Sequence, residues 1–197
     1  MSEPSLMFYQ RISLLLNSRT PRKLEYSHQG RAAVLMPIFE LGEDYYFLLT
    51  ERTHTVETHK GQISFPGGVA EAEDKALIGT ALRETWEEVG LASNHLEVLG
   101  EFDEYLSVTG LIVTPFVARI HSPFALNPNP DEVQEILQVP LSLFRDESCS
   151  RIEIRQRFGR DLPVYFYNFR GRDVWGLTAQ MIRDFILLVD GKSNNTA

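Results

Sequence analysis

A change of period at residues 62–90 narrows the fold more than any other feature of this chain. Residues 62–65 read as a short strand, Pro66, Gly67 and Gly68 stop it, and residues 78–89 place apolar side chains at helical spacing before Gly90 ends the helix. A strand, a glycine turn and an amphipathic helix in succession require a layered structure, because the helix must bury its apolar stripe against a sheet. Strand-like segments lie on both sides. Residues 32–39 and 45–49 flank a Gly42, Glu43, Asp44 turn and read as a hairpin. Residues 96–103 and 111–120 are strand-like, and Pro115 is expected to confine the second to an edge or a bulge. Residues 151–157 alternate by two, and residues 164–169 form an aromatic strand. Helices are expected over residues 4–17 and 178–189, and the NPNP stretch at 127–130 reads as a loop. The predicted fold class is α+β, a layered α/β/α sandwich with a mixed β-sheet. No repeat or composition shift marks a second domain. The expected organisation is an N-terminal helix and linker over 1–31, a main domain over 32–190 and a tail over 191–197.

Composition bounds the function. Hydrophobic residues make up 43% and charged residues 23%, which excludes a disordered chain and a coiled-coil rod. Nineteen Lys and Arg stand against 27 Asp and Glu, a net charge of -8, which argues against a nucleic-acid partner. An anionic ligand must therefore be met locally. The single cysteine, Cys149, allows no intramolecular disulfide and reads as a small, partly buried hydrophobe. No run approaches the roughly 18 apolar residues of a membrane span. The opening residues, with Glu3 and Pro4 and no small-residue cleavage site, do not resemble a signal peptide. A cytoplasmic chain with no membrane partner is the expectation.

The predicted central helix carries the chemistry. At about 100° per residue, Glu84, Glu87 and Glu88 share one sector, while Leu82, Trp86 and Val89 point the opposite way and are expected in the core. Leu77 would land on the acidic side, so the regular helix is expected to begin nearer Ile78. Like charges at this spacing repel. Two arrangements offset the repulsion: a solvated face neutralised by Arg83, or a hard divalent cation held by carboxylate oxygens, as Mg²⁺ is. Gly67 and Gly68 just ahead of the helix favour the second, because backbone without side chains can approach a metal or a phosphate closely.

Gly68, Asp74 and the run Arg83, Glu84, Thr85, Trp86, Glu87, Glu88, Val89, Gly90, Leu91 resemble the box of the Nudix hydrolases. Three departures are Asp74 for the usual Glu, one extra residue before Arg83, and Thr85 at an apolar place. Upstream, Leu48, Leu49, Thr50, Glu51 and Arg52, then Gly61, Phe65, Pro66, Gly67 and Gly68, resemble the signature of the coenzyme A pyrophosphatase branch, which shares the extra residue. Thr53 and Glu57 depart from that branch. Glu132, Val133, Val139, Pro140 and Leu141, and later residues 175–179, are also similar to it, so the resemblance spans roughly 32–190.

That resemblance implies the Nudix fold and metal-dependent hydrolysis of a diphosphate bond. It implies that Glu84, Glu87, Glu88 and the backbone of Gly68 hold Mg²⁺ or Mn²⁺, and that Arg83 orients the carboxylates. Glu87 is the expected proton acceptor. Arg52, Lys60 and Gly67 are the expected substrate contacts. Coenzyme A is the expected substrate, giving adenosine 3′,5′-bisphosphate and 4′-phosphopantetheine. The alternatives are another nucleoside diphosphate derivative, a nucleoside triphosphate or, more remotely, a non-catalytic nucleotide-binding regulator. A homodimer is allowed. His54 and His59 read as solvated loop residues, Trp175 as core, and Glu132 and Glu135 as exposed acids of a helix.

Overall fold

The computed structural model describes residues 3–25, 29–53, 61–157 and 159–192. In chain order they form α1 (Glu3–Asn17), β1 (Arg31–Leu41), β2 (Asp44–Arg52), β3 (Ile63–Ser64), β4 (Gly67–Val69) and α2 (Leu77–Val89). There follow β5 (Leu96–Glu101), β6 (Tyr105–Leu106), β7 (Ile112–Ile120), β8 (Val133–Pro140), β9 (Ser150–Arg157), β10 (Arg160–Phe169), β11 (Arg172–Trp175) and α3 (Gly176–Val189). The main sheet runs β3-β2-β1-β7-β5, with β4 added to β1, β6 to β7 and β8 to β2. Among the described residues only β1 and β7 pair parallel; the other pairings are antiparallel, so the sheet is mixed as expected.

β1 is buried on both faces, and its side chains separate two layers. Ala33 and Leu35 pack with Ala81 of α2 and with Phe116 and Ala118 of β7. Met36 and Ile38 join the larger cluster on the other side, with Tyr9, Ile12 and Leu16 of α1 and Ile182 and Phe185 of α3. The N-terminal helix is thus a wall of the same core. A smaller antiparallel sheet, β11-β10-β9, packs on α3 through Tyr165, Tyr167, Phe169 and Val174. Among the described residues no helix is long and apolar enough to cross a membrane.

Several expectations need correction. Pro115 lies in β7, between β1 and β5, rather than at an edge. It is tolerated because its carbonyl accepts from Phe102 N at 2.8 Å, which turns the missing N–H toward the break between β5 and β6. Gly67 and Gly68 do not merely end a strand; they form β4, paired with Val34 and Ala33. α2 begins at Leu77, where a tight first turn (Gly79 N to Ala76 O, 2.8 Å) lets Leu77 pack against the β1–α2 cluster. Trp86 is 56% exposed, whereas Thr85 and Glu88 are buried: the inward arc of α2 is Ala81, Thr85, Glu88 and Val89. Thr85 occupies its apolar place because its hydroxyl donates to Ala81 O at 2.6 Å. Glu135 lies in strand β8 and Glu132 just before it, not in a helix. Trp175 is half-buried and stacks on Phe166 at 5.8 Å.

Candidate active site

β4 brings the glycines against the inner face of α2. A Cβ on Gly67 would lie 2.3 Å from Ala33 O and 2.6 Å from Val34 Cα, and one on Gly68 would lie 2.5 Å from the Glu84 carboxyl carbon. Close approach to backbone requires glycine at position 67, whereas a Cβ at position 68 would displace the carboxyl end of Glu84. The C-terminus of α2 is fixed by Gly90 in the left-handed region (φ 68°), whose N–H donates to Trp86 O. The NPNP loop closes over it, with Asn127 N donating to Val89 O and Asn129 N to Glu88 O. The same loop leads into Glu132, whose carbonyl accepts from Thr53 N at 2.9 Å. β2 thereby delivers Arg52 to α2, its Nη1 3.4 Å from Glu88 Oε1.

Arg83 organises the acids. Its guanidinium donates to Glu84 Oε1 (2.9 Å), Glu87 Oε2 (3.0 Å) and Asp74 (3.1 and 3.3 Å). Asp74 also accepts from Thr80 Oγ1 and Glu71 N. Its oxygens are committed to holding Arg83, and these bonds hold its carboxyl well below the usual carboxylate range. Glu87 is the exposed member, 49% open at its side chain, whereas Glu84 is 17% open and Glu88 only 4%. Burial pushes Glu84 up, opposed by Arg83 and assisted by Glu87 and Glu132. Burial pushes Glu88 up to about 8; Arg52 and the Gly67 N–H oppose the shift, while Glu84 and Glu132 add to it. Glu132 is the acid that sequence reasoning assigned elsewhere. The similarity of Glu132 and Val133 to the coenzyme A branch was the available signal.

These shifts fix the sign of a pH effect in metal-free protein. Between the ordinary value of 4.5 and about 8, folded Glu88 holds a proton that the unfolded chain has lost. Stability therefore falls as pH rises through that window, with a slope approaching about 1.4 kcal/mol per pH unit. Urea denaturation in chelator from pH 5.5 to 8 is expected to show this decline, and Glu88→Gln to flatten it. An unchanged slope in the variant would assign the decline to another group.

A family model for the NUDIX domain matches residues 29–151. The chain belongs to the Nudix hydrolases. The uncharacterized Nudix hydrolase NudL of Photorhabdus laumondii is 40% identical over 82% of this chain and 86% of its own length. The mitochondrial Nudix hydrolase 15 of Arabidopsis thaliana is 35% identical over 77% of this chain and 56% of its own length. A MutT/nudix family protein from Enterococcus faecalis superposes with a TM-score of 0.55 at 17% identity, over 96% of this chain and 75% of its own, which shows the shared fold.

Nudix hydrolases generally use divalent metal ions, and this Nudix site can be tested for fit. Glu88 Oε2 is buried without a hydrogen-bond partner among the described residues, an arrangement that costs stability unless something binds there. The acids that act on Glu88 are Glu84 and Glu132, and carboxylate oxygens are donors a hard cation takes. Among the described residues no three carboxylates converge as a ready chelate. Arg83 accounts for this, because it draws Glu84 and Glu87 onto itself. The donor chemistry and the orphaned oxygen fit a divalent ion, with Arg83 as the group it must displace. Of the expected substrate contacts, Arg52 and Gly67 meet Glu88, while Lys60, like His54, Glu57 and His59, lies outside the described residues.

Proposed function

We propose that this Nudix hydrolase cleaves the diphosphate bridge of coenzyme A or its derivatives, with Glu84, Glu87, Glu88 and the Gly68 backbone holding Mg²⁺ or Mn²⁺. The observation that carries the reading is the contact between Arg52 and Glu88: the strand bearing the coenzyme A signature ends on the carboxylate helix of the Nudix box. A divalent ion held there would neutralise the diphosphate and lower the pKa of a water beside it. The chain's own groups supply the rest. Arg52 Nε is buried without a partner among the described residues, which leaves the guanidinium a donor for a phosphate oxygen beside Glu88. Gly67 and Gly68 leave the backbone bare where the diphosphate would lie. Glu87, the most exposed of the three helix glutamates, accepts the proton of the attacking water. Arg83, once released by Glu84 and Glu87, stays berthed on Asp74 and Val69 O.

In this reading Arg52 meets the diphosphate. The 3′-phosphate then needs another cation, for which Lys60 is proposed. One charge-assisted contact contributes about 1.5 to 3 kcal/mol, at least about tenfold. Coenzyme A is therefore expected to exceed 3′-dephospho-coenzyme A by at least about tenfold in kcat/KM, and Arg52→Ala to lower both alike. The panel includes ADP-ribose and a nucleoside triphosphate, with and without Mg²⁺ and in excess chelator, which should abolish turnover. Equal turnover of the two coenzymes, or preference for ADP-ribose, would overturn the coenzyme A reading.

A further inference from the structure

β9 is the outer strand of the β11-β10-β9 sheet, and among the described residues no strand lies on its far side. An open edge with exposed apolar side chains invites pairing with another chain. Ile152 and Ile154 share one face of β9 and are 61% and 65% exposed, overhanging the core that Tyr165 and Tyr167 share with α3. Arg151, Glu153 and Arg155 share the other face, where Glu153 accepts from Arg151 at 3.3 Å and from Arg155 at 2.7 Å.

We propose that two copies of this chain pair β9 to β9, antiparallel about a twofold axis at Ile154, joining two three-stranded sheets into one. Directly opposed residues share a face, so the axis must pass through a residue position. An axis at Ile154 sets each Glu153 against the partner's Arg155 and brings the two Ile154 side chains together. An axis at Glu153 opposes Glu153 to itself and Arg151 to Arg155, which is repulsive. An axis at Ile152 pairs Arg151 with Glu153 but matches only residues 150–154 of β9, whereas the Ile154 axis matches 151–157. The ends of that register, residues 151 and 157, lie farthest from the axis, and Asp173 already binds Arg151 through two bonds of 3.0 and 2.8 Å. The contact is isologous, so it closes at two copies.

Sedimentation velocity of the full chain at micromolar concentration tests this. The native protein is expected to sediment with the mass of two chains, Glu153→Arg and Arg155→Glu each with the mass of one, and the double exchange with two again. These side chains are exposed, and thermal melts by circular dichroism check that every variant is folded. In a Cys149→Ser background, Ile154→Cys is expected to form a covalent dimer on mild oxidation and Ile152→Cys is not. A monomeric native protein, dimeric single charge variants, or trapping at position 152 instead of 154 would each overturn the proposal.

Discussion

Glu88→Gln is expected to lower kcat/KM by at least about 10³-fold, roughly 4 kcal/mol of transition-state stabilisation, with the fold intact. The amide keeps the shape and volume of the carboxylate. It removes the charge of the one acid that is buried beside Arg52 and has an oxygen without a partner. The structure also sharpens the expected stability. Glu88 is buried rather than solvent-facing, so relief of its desolvation appears only where it would be ionised. In chelator at pH 8 the variant should melt no lower than the native protein, and at pH 5.5 the two should nearly coincide. Turnover near the native rate at saturating Mg²⁺ or Mn²⁺ would remove Glu88 from the metal site.

Gly67→Ala is expected to have the largest effect on stability, a loss of at least about 3 kcal/mol. The added Cβ would meet backbone, Ala33 O at 2.3 Å and Val34 Cα at 2.6 Å, and backbone of a central strand cannot step aside as a side chain can. β4 would have to leave β1. For a chain of this length the loss corresponds to a fall of roughly 6–12 °C in Tm. Gly79→Ala is the internal control: its Cβ meets nothing within 4 Å, and an alanine inside α2 should add up to about 1 kcal/mol. A Gly67→Ala protein that melts with the native one would mean that β4 is not held against β1 as described.

The layered fold was readable because two segments carry clean patterns. The unbroken apolar run of β1 marks a strand covered on both faces, and the spacing of residues 78–89, closed by Gly90, marks a helix. β8 escaped because its alternation is broken: Arg52 pairs with Val133 and Glu51 with Glu135, so Gln134 is bulged out and the period slips. β4 escaped because glycine has no side chain from which to read a face. The acids of α2 and their partner Arg83 were legible from spacing. The true inward arc was not, because a period calculation assigns Trp86 to the core and Glu88 to water. The small Ala81 and Thr85, which let α2 approach the sheet, are what turn Glu88 inward. Glu132 reaches the site only through loop hydrogen bonds to Thr53 and Asn129, which no local pattern encodes.

The network around Arg83 has a consequence for how the protein handles ions. Glu84 and Glu87 already share a counter-ion built into the chain, so the strength with which they would take up a dissolved cation is a difference between two ion-paired arrangements. It is not the sum of several unopposed attractions. A difference of this kind is small and adjustable from a distance. Asp74 holds the guanidinium at the same time as the glutamates do, so Arg83 would keep its place if they turned to another cation. The acidic face can thus stay assembled with no ion bound, because the charge that holds the two glutamates together belongs to the helix itself.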